Sequence, residues 1–363
     1  MKRLFLLMMA FIAVTAFSAN VSAQEKSDEY KYVNAEELMI LNKGFDNTEL
    51  TFSRLPEDMK PVTRKDVWDL GLNSAGIAVR FSSNAKKIKA RWTLLNNFRM
   101  NHMATTGICG LDLYMLNDKG QWQFAGNARP SKQESENVFG SGKLSGEWHE
   151  YMIYLPLYDG VTKFEIGIDP ESEIAAPRNN VMVKGGKPVL FYGTSVTQGG
   201  CASRPGMVYT SILSRKWQKE VINLGFSGNA RMDKSMAETI KRVDAEKYVL
   251  DCLPNCTTQI LRDSAEVFIK ILADAHPDTP IYMVENMTYA YELTDSKTVQ
   301  DQVEKNGYWK ELYKKLRKEG YKNLRYIPRD KLTGKDGEDS VDGAHRTDLG
   351  FQRMAEAFMK YIK

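Results

Sequence analysis

The feature that most constrains this chain is a change of hydrophobic rhythm at Lys184-Gly185-Gly186-Lys187-Pro188. Before it, short runs alternate: Ile77, Val79 and Phe81 are interleaved with Ala78, Arg80 and Ser82, and Ile88, Ala90 and Trp92 with Lys89 and Arg91. A period of two puts each set on one face of a strand. Gly110–Leu116, Trp122–Ala125, Glu150–Leu155 and Lys163–Ile168 read the same way, with Asn117-Asp118-Lys119-Gly120 as a hairpin turn. Short strands at this spacing predict an antiparallel, jelly-roll-like β-sandwich over residues 24–184. Residues 169–186 read as a linker.

After Pro188 the rhythm becomes strand, helix, strand, helix. Val189–Tyr192 is a short run suited to a buried strand, and Val221–Leu224, Tyr248–Leu253, Ile281–Val284 and Leu324–Ile327 read as further strands. Met207–Trp217 and Lys234–Val243 are expected helices. So is Gln259–Ala275, where Leu261, Ala265, Phe268, Leu272 and Ala275 follow a three-to-four spacing. Phe351, Met354, Ala355, Phe358 and Ile362 mark one face of a closing helix. This alternation predicts a three-layer α/β unit over residues 185–363, with a mostly parallel sheet between helices.

The first 23 residues read as a cleaved export signal. Lys2 and Arg3 precede an apolar run from Leu4 to Phe17, and Val21-Ser22-Ala23 offers a small-x-small cleavage site before Gln24. The run is short of the ~20 residues of a spanning helix, and no later stretch is long and apolar enough to cross a bilayer. A periplasmic or extracellular protein is expected. Its charge points to no polyanion partner. The full chain is +4, and without Lys2 and Arg3 it holds 48 basic against 46 acidic residues, with no basic stripe of the kind nucleic-acid binders show. The Lys/Arg-rich stretch Asn84–Arg91 reads as a solvated strand face. Four cysteines, Cys109, Cys201, Cys252 and Cys256, fall in the exported part, where disulfides are permitted. Cys252 and Cys256 have no second Cys or His pair at metal-like spacing, so no metal is expected.

In open parallel sheets, chemistry gathers beyond the carboxyl ends of the strands. Gly193-Thr194-Ser195-Val196-Thr197-Gln198-Gly199 follows the first strand, Gly225-Phe226-Ser227-Gly228-Asn229 the second, and Leu253-Pro254-Asn255 the third. A long polar loop after the fifth leads to Asp342-Gly343-Ala344-His345. These four segments resemble, in order and spacing, the conserved blocks of the SGNH (GDSL) hydrolases. Ser195, Gly228, Asn255 and the Asp342/His345 pair match the family's serine, glycine, asparagine and Asp-x-x-His. Thr194 departs from the usual Gly-Asp-Ser. Upstream, Gly110-Leu111-Asp112-Leu113-Tyr114 is similar to the Gly-x-Asp-Leu-Tyr signature of a domain that precedes such hydrolases. The resemblance implies a flavodoxin-like hydrolase fold and a serine esterase without a cofactor.

The residues support those roles directly. In a 2-1-3-4-5 strand order, Ser195 lies between Gly228 and Asn255. The backbone N–H groups of Ser195 and Gly228 and the amide of Asn255 then form an oxyanion hole. Of the four histidines, His102, His149, His276 and His345, only His345 follows a strand of this sheet and precedes a helix. It must cross about 14 Å at ~4.8 Å per strand, which residues 329–344 easily span. His345 would serve Ser195 as base, and Asp342 would orient its ring.

A Cys201–Cys252 or Cys201–Cys256 disulfide is weighed against buried free thiols. Arg204 and His102 are candidate substrate contacts, weighed against a surface salt bridge and a solvated loop histidine. The expected activity is hydrolysis of short acyl esters, on a small molecule or a polysaccharide, through an acyl-enzyme. An acyltransferase using the same site, or a carbohydrate-binding protein with a silent hydrolase unit, are the alternatives.

Overall fold

A computed structural model describes residues 29–140, 144–182 and 185–363. The export signal expected over residues 1–23 lies outside the described residues. The first part is the expected all-antiparallel sandwich. One sheet runs Lys31–Asn34, Val161–Ile168, Ile88–Leu94, Glu134–Val138; the other runs Ile174–Ala175, Ala78–Ser83, His149–Tyr154, Leu111–Leu116, Trp122–Ala128. Met39–Leu41 also pairs with Ala78–Ser83. The period-two pattern works as read. Ile88, Ala90, Trp92 and Leu94 are buried, while Lys89 and Arg91 face outward onto Glu136. Residues 169–186 are not wholly a linker, because Ile174–Ala175 pairs with Ser82-Ser83.

Five strands form the third sheet: β1 (Val189–Gly193), β2 (Val221–Gly225), β3 (Lys247–Asp251), β4 (Ile281–Val284) and β5 (Leu324–Ile327). Their order is β2-β1-β3-β4-β5, all parallel. Side chains alternate between two helix layers. Phe191 packs with Ile212, Phe351 and Phe358, while Leu190 and Tyr192 pack with Met236, Phe268 and Trp309. The second layer includes a helix over Ser296–Glu319 that apolar periodicity does not reveal. Its buried residues include Gln302, Lys305 and Asn306, so no apolar stripe runs along its first half. Only its ends signal it: Asp295 accepts from the Lys297 and Thr298 N–H groups, and Gly320 closes it in the left-handed conformation. No helix among the described residues is long and apolar enough to cross a membrane.

The two parts share one apolar cluster, in which Ile108, Leu157 and Tyr158 meet Val196, Ala202 and Val208. Gly107 permits the closest approach: a Cβ there would lie 2.2 Å from the Ala202 carbonyl oxygen. The segment after β1 is therefore braced by the sandwich as well as by its own sheet.

Candidate active site

β1 ends at Gly193, and Ser195 opens a single helical turn, Ser195–Gln198. Thr194 is extended, and its Oγ1 accepts from the Val196 N–H at 3.3 Å. A hydroxyl thus caps the turn where the resembled family has a carboxylate. Ser195 Oγ lies 2.8 Å from His345 Nε2, and His345 Nδ1 lies 2.7 Å from Asp342 Oδ2. Asp342 Oδ1 accepts from the Ala344 and His345 N–H groups at 3.0 and 2.8 Å. Burial opposes its ionisation, yet these hydrogen bonds hold Asp342 at about 2. As a charged acceptor it keeps the hydrogen on Nδ1, leaving the Nε2 lone pair for the serine hydroxyl.

His345 is delivered across β3 and β4 by backbone pairing. The Arg346 N–H donates to the Gly200 carbonyl at 3.2 Å, and the Cys201 N–H donates to the Arg346 carbonyl at 3.0 Å. Asp348 Oδ1 accepts from the Ser203 N–H at 2.9 Å. The Arg346 side chain is buried, donating to Asp339 Oδ1 at 2.9 Å and to the Thr288 carbonyl at 2.5 Å.

Gly228 sits in the left-handed region at φ +69°. Asn255 Oδ1 accepts from the Ala230 N–H at 3.2 Å, which ties it to the Gly228 loop and leaves the Nδ2 hydrogens as the donors it can offer. Two further residues hold this region and carry no sequence signal, because their partners are distant in the chain. Gln198 accepts from the Ser227 N–H at 2.9 Å and donates to the Leu157 carbonyl at 3.1 Å. The Tyr158 hydroxyl donates to the Ser195 carbonyl at 3.0 Å.

Beneath the turn, Asp251 is buried at the end of β3. Its Oδ2 lies 2.9 Å from the Tyr209 hydroxyl and 3.3 Å from Thr197 Oγ1. Burial pushes this carboxyl up to about 7, against the two hydroxyls and the charge of Arg346. An unfolded Asp titrates near ~3.9, so the folded protein holds this proton more tightly. The resulting stability is fully present below about pH 4 and is lost as pH rises through about 7. Asp251→Asn should flatten this dependence, by up to about 4 kcal/mol between the two ends. Urea unfolding at pH 4.5 and 7.5 checks it, and equal slopes for the wild type and the variant would refute the assignment.

The remaining candidates separate. Arg204 donates to Asp112 Oδ2 at 2.8 Å and to the Tyr114 hydroxyl at 2.7 Å, and stacks over Phe124 at 3.8 Å. It ties hydrolase to sandwich through that ion pair. His102 does reach across, with its ring centroid 5.7 Å from that of His345. The disulfide is not formed; all four cysteines are free and buried. Cys201 lies in the cluster shared with the sandwich, whereas Cys252 and Cys256 lie in the cluster on the other face of the sheet.

The site is open. Ser195 is 8% exposed, but the His345 and Asp342 side chains are 28% and 39% exposed. A cavity of about 700 Å³ lined by Gly334, Asp336, Arg353 and Glu356 involves none of these three.

Comparison with known proteins places this geometry among relatives. Residues 186–363 match the GDSL-like lipase/acylhydrolase family, and residues 30–174 match the N-terminus of SGNH-hydrolase-type esterases. A solved structure from Bacteroides ovatus ATCC 8483, assigned as a GDSL-like lipase, is 35% identical. It covers 92% of this chain and 98% of its own, with a TM-score of 0.87. The salicylyl-acyltransferase SsfX3 of a tetracycline biosynthetic pathway shares the fold at 14% identity, covering 92% and 96% of the two chains, with a TM-score of 0.72. So does a family two carbohydrate esterase from Clostridium thermocellum, solved with cellohexaose, at 12% identity, 80% and 92% coverage and a TM-score of 0.57. No curated protein matches the chain.

Proposed function

Because the chain belongs to the GDSL-like lipase/acylhydrolase family and is a carboxylic ester hydrolase, we propose that it works through an acyl-enzyme on Ser195. The observation that carries this is the relay of 2.8 and 2.7 Å from Ser195 through His345 to Asp342. His345 Nε2 takes the hydroxyl proton as Oγ attacks the ester carbonyl, and the negative oxygen collects hydrogen bonds from the Ser195 and Gly228 N–H groups and Asn255 Nδ2. The imidazolium, facing the Asp342 carboxylate, returns its proton to the leaving alcohol. Water, deprotonated by the same nitrogen, then releases the acid and restores Ser195.

The exposed His345–Asp342 edge supports a bulky alcohol portion. We assign the substrate class as short-chain, acetyl-like esters on carbohydrate, met outside the cytoplasm after removal of residues 1–23. Release of acetate from an acetylated polysaccharide, beside hydrolysis of p-nitrophenyl acetate and butyrate, tests this. Butyrate turnover exceeding acetate by tenfold, with no polysaccharide cleavage, would remove the acetyl assignment. Adding a competing sugar or alcohol reads out the transferase alternative directly, as an acylated acceptor replaces free acid. Asn255→Ala should lower kcat by about 10²–10³ with KM nearly unchanged, the signature of a donor used mainly in the transition state. A fall in KM-dependent binding alone would place Asn255 elsewhere.

A further inference from the structure

The spacing of cysteines and histidines along the chain suggests no metal ligands, but the fold assembles a set from three distant segments. His102 comes from the irregular stretch 95–104 of the sandwich, Cys201 from the segment after β1, and His345 from the loop after β5. One ligand atom from each lies within 4.8 Å of the others. We propose that these three side chains form a regulatory site for a thiophilic divalent cation such as Zn²⁺, and that filling it switches the esterase off.

Both imidazoles are set for this task. His345 Nδ1 faces Asp342 Oδ2 at 2.7 Å, and His102 Nδ1 faces Asn101 Oδ1 at 2.9 Å. An oxygen on Nδ1 keeps the hydrogen there and turns the Nε2 lone pair outward, which is how protein oxygens orient zinc-binding histidines. Cys201 adds a soft third ligand at a site that is otherwise nitrogen and oxygen. Around a tetrahedral zinc, two nitrogens and a sulfur lie roughly 3.3–3.6 Å apart. The set must therefore close by about an ångström, which a small movement of the half-exposed His102 on its irregular stretch supplies. On binding, the S–H bond breaks, an S–Zn bond forms and one proton leaves to solvent. The fourth position stays open to water.

Inhibition follows from shared use of one lone pair. The His345 Nε2 that holds the ion is the atom 2.8 Å from Ser195 Oγ, and it cannot take the serine proton while coordinated. The inhibitory half of the proposal rests on the esterase reading; the binding half does not.

The full chain, stripped with EDTA, should bind one Zn²⁺ in equilibrium dialysis, and Co²⁺ should show a thiolate-to-cobalt charge-transfer band. Cys201→Ser should abolish that band, and Cys201→Ser and His102→Ala should each weaken Zn²⁺ retention at least tenfold. In the p-nitrophenyl acetate assay, Zn²⁺ should inhibit reversibly, and both variants should need at least ten times more of it. His102→Gln provides a second variant with a side chain of similar reach, and thermal midpoints confirm that each variant is folded. No bound Zn²⁺ at micromolar concentrations, or a Co²⁺ spectrum without a thiolate band, overturns the site whether or not the protein is active. Equal inhibition of the wild type and both variants overturns it as well, assigning the effect to Ser195 and His345 alone.

Discussion

Ser195→Ala should reduce kcat on p-nitrophenyl acetate by roughly 10⁴–10⁶, leaving KM within a few-fold of the wild type. The size of the effect follows from the geometry. The hydroxyl 2.8 Å from His345 Nε2 is the nucleophile of the proposed mechanism. What survives is binding and the oxyanion donors, which alone still accelerate hydrolysis about 10³–10⁴-fold over water. His345→Ala should match it, and the double variant should be no worse than either, because nucleophile and base act as one unit. Asp342→Asn should cost less, at most about 10⁴, since Asp342 is part-exposed and water can take over some of its work. A Ser195→Ala protein retaining a tenth of the activity would exclude Ser195 as nucleophile.

The second large effect is structural. Asp112, in the Gly-x-Asp-Leu-Tyr segment, is fully buried, and its Oδ2 accepts from Arg204 Nη1 at 2.8 Å and from the Gly206 N–H at 2.8 Å. Arg204 is itself largely covered, and Tyr114 and Phe124 complete its surroundings. Asp112→Ala leaves a mostly buried guanidinium without its counter-charge and a buried N–H without an acceptor. Stability should fall by about 3–5 kcal/mol, measured as a lowered urea midpoint. Replacing both charges with apolar residues, Asp112→Leu with Arg204→Met, should recover much of the loss, because the isolated charge rather than the missing pair is what costs. If Asp112→Ala moved the midpoint by less than about 1 kcal/mol, as an exposed pair would, the clamp would not hold the sandwich to the hydrolase. The same clamp fixes residues 204–206, about ten positions after Ser195, so activity should fall in step with the loss of fold.

Some of this could be read directly from the chain. A period-two run identified the strand Ile88–Leu94, because a half-buried strand must alternate. Mostly apolar runs identified β1 to β4, which are almost wholly buried, while β5, at the sheet edge, exposes Arg325. The helix over Ser296–Glu319 escaped, because polar side chains fill its buried face. Local chemistry also marked Ser195, just past β1, and Asp342 and His345, on the long loop between β5 and the closing helix, where side chains gather at the end of the sheet.

What the chain determined by itself was therefore the set of elements and the residue types at their ends, since both arise from short-range periodicity and turn chemistry. Only the tertiary structure decided which distant groups share a space. It paired Arg204 with Asp112, and it separated Cys201 from Cys252 across the sheet. It also tied Arg346 to Gly200 and Cys201, and brought His102 within 5.7 Å of His345. Such contacts join segments up to 243 positions apart, from His102 to His345. No local pattern encodes them, because they depend on how two independently patterned sheets pack against one another through a common core.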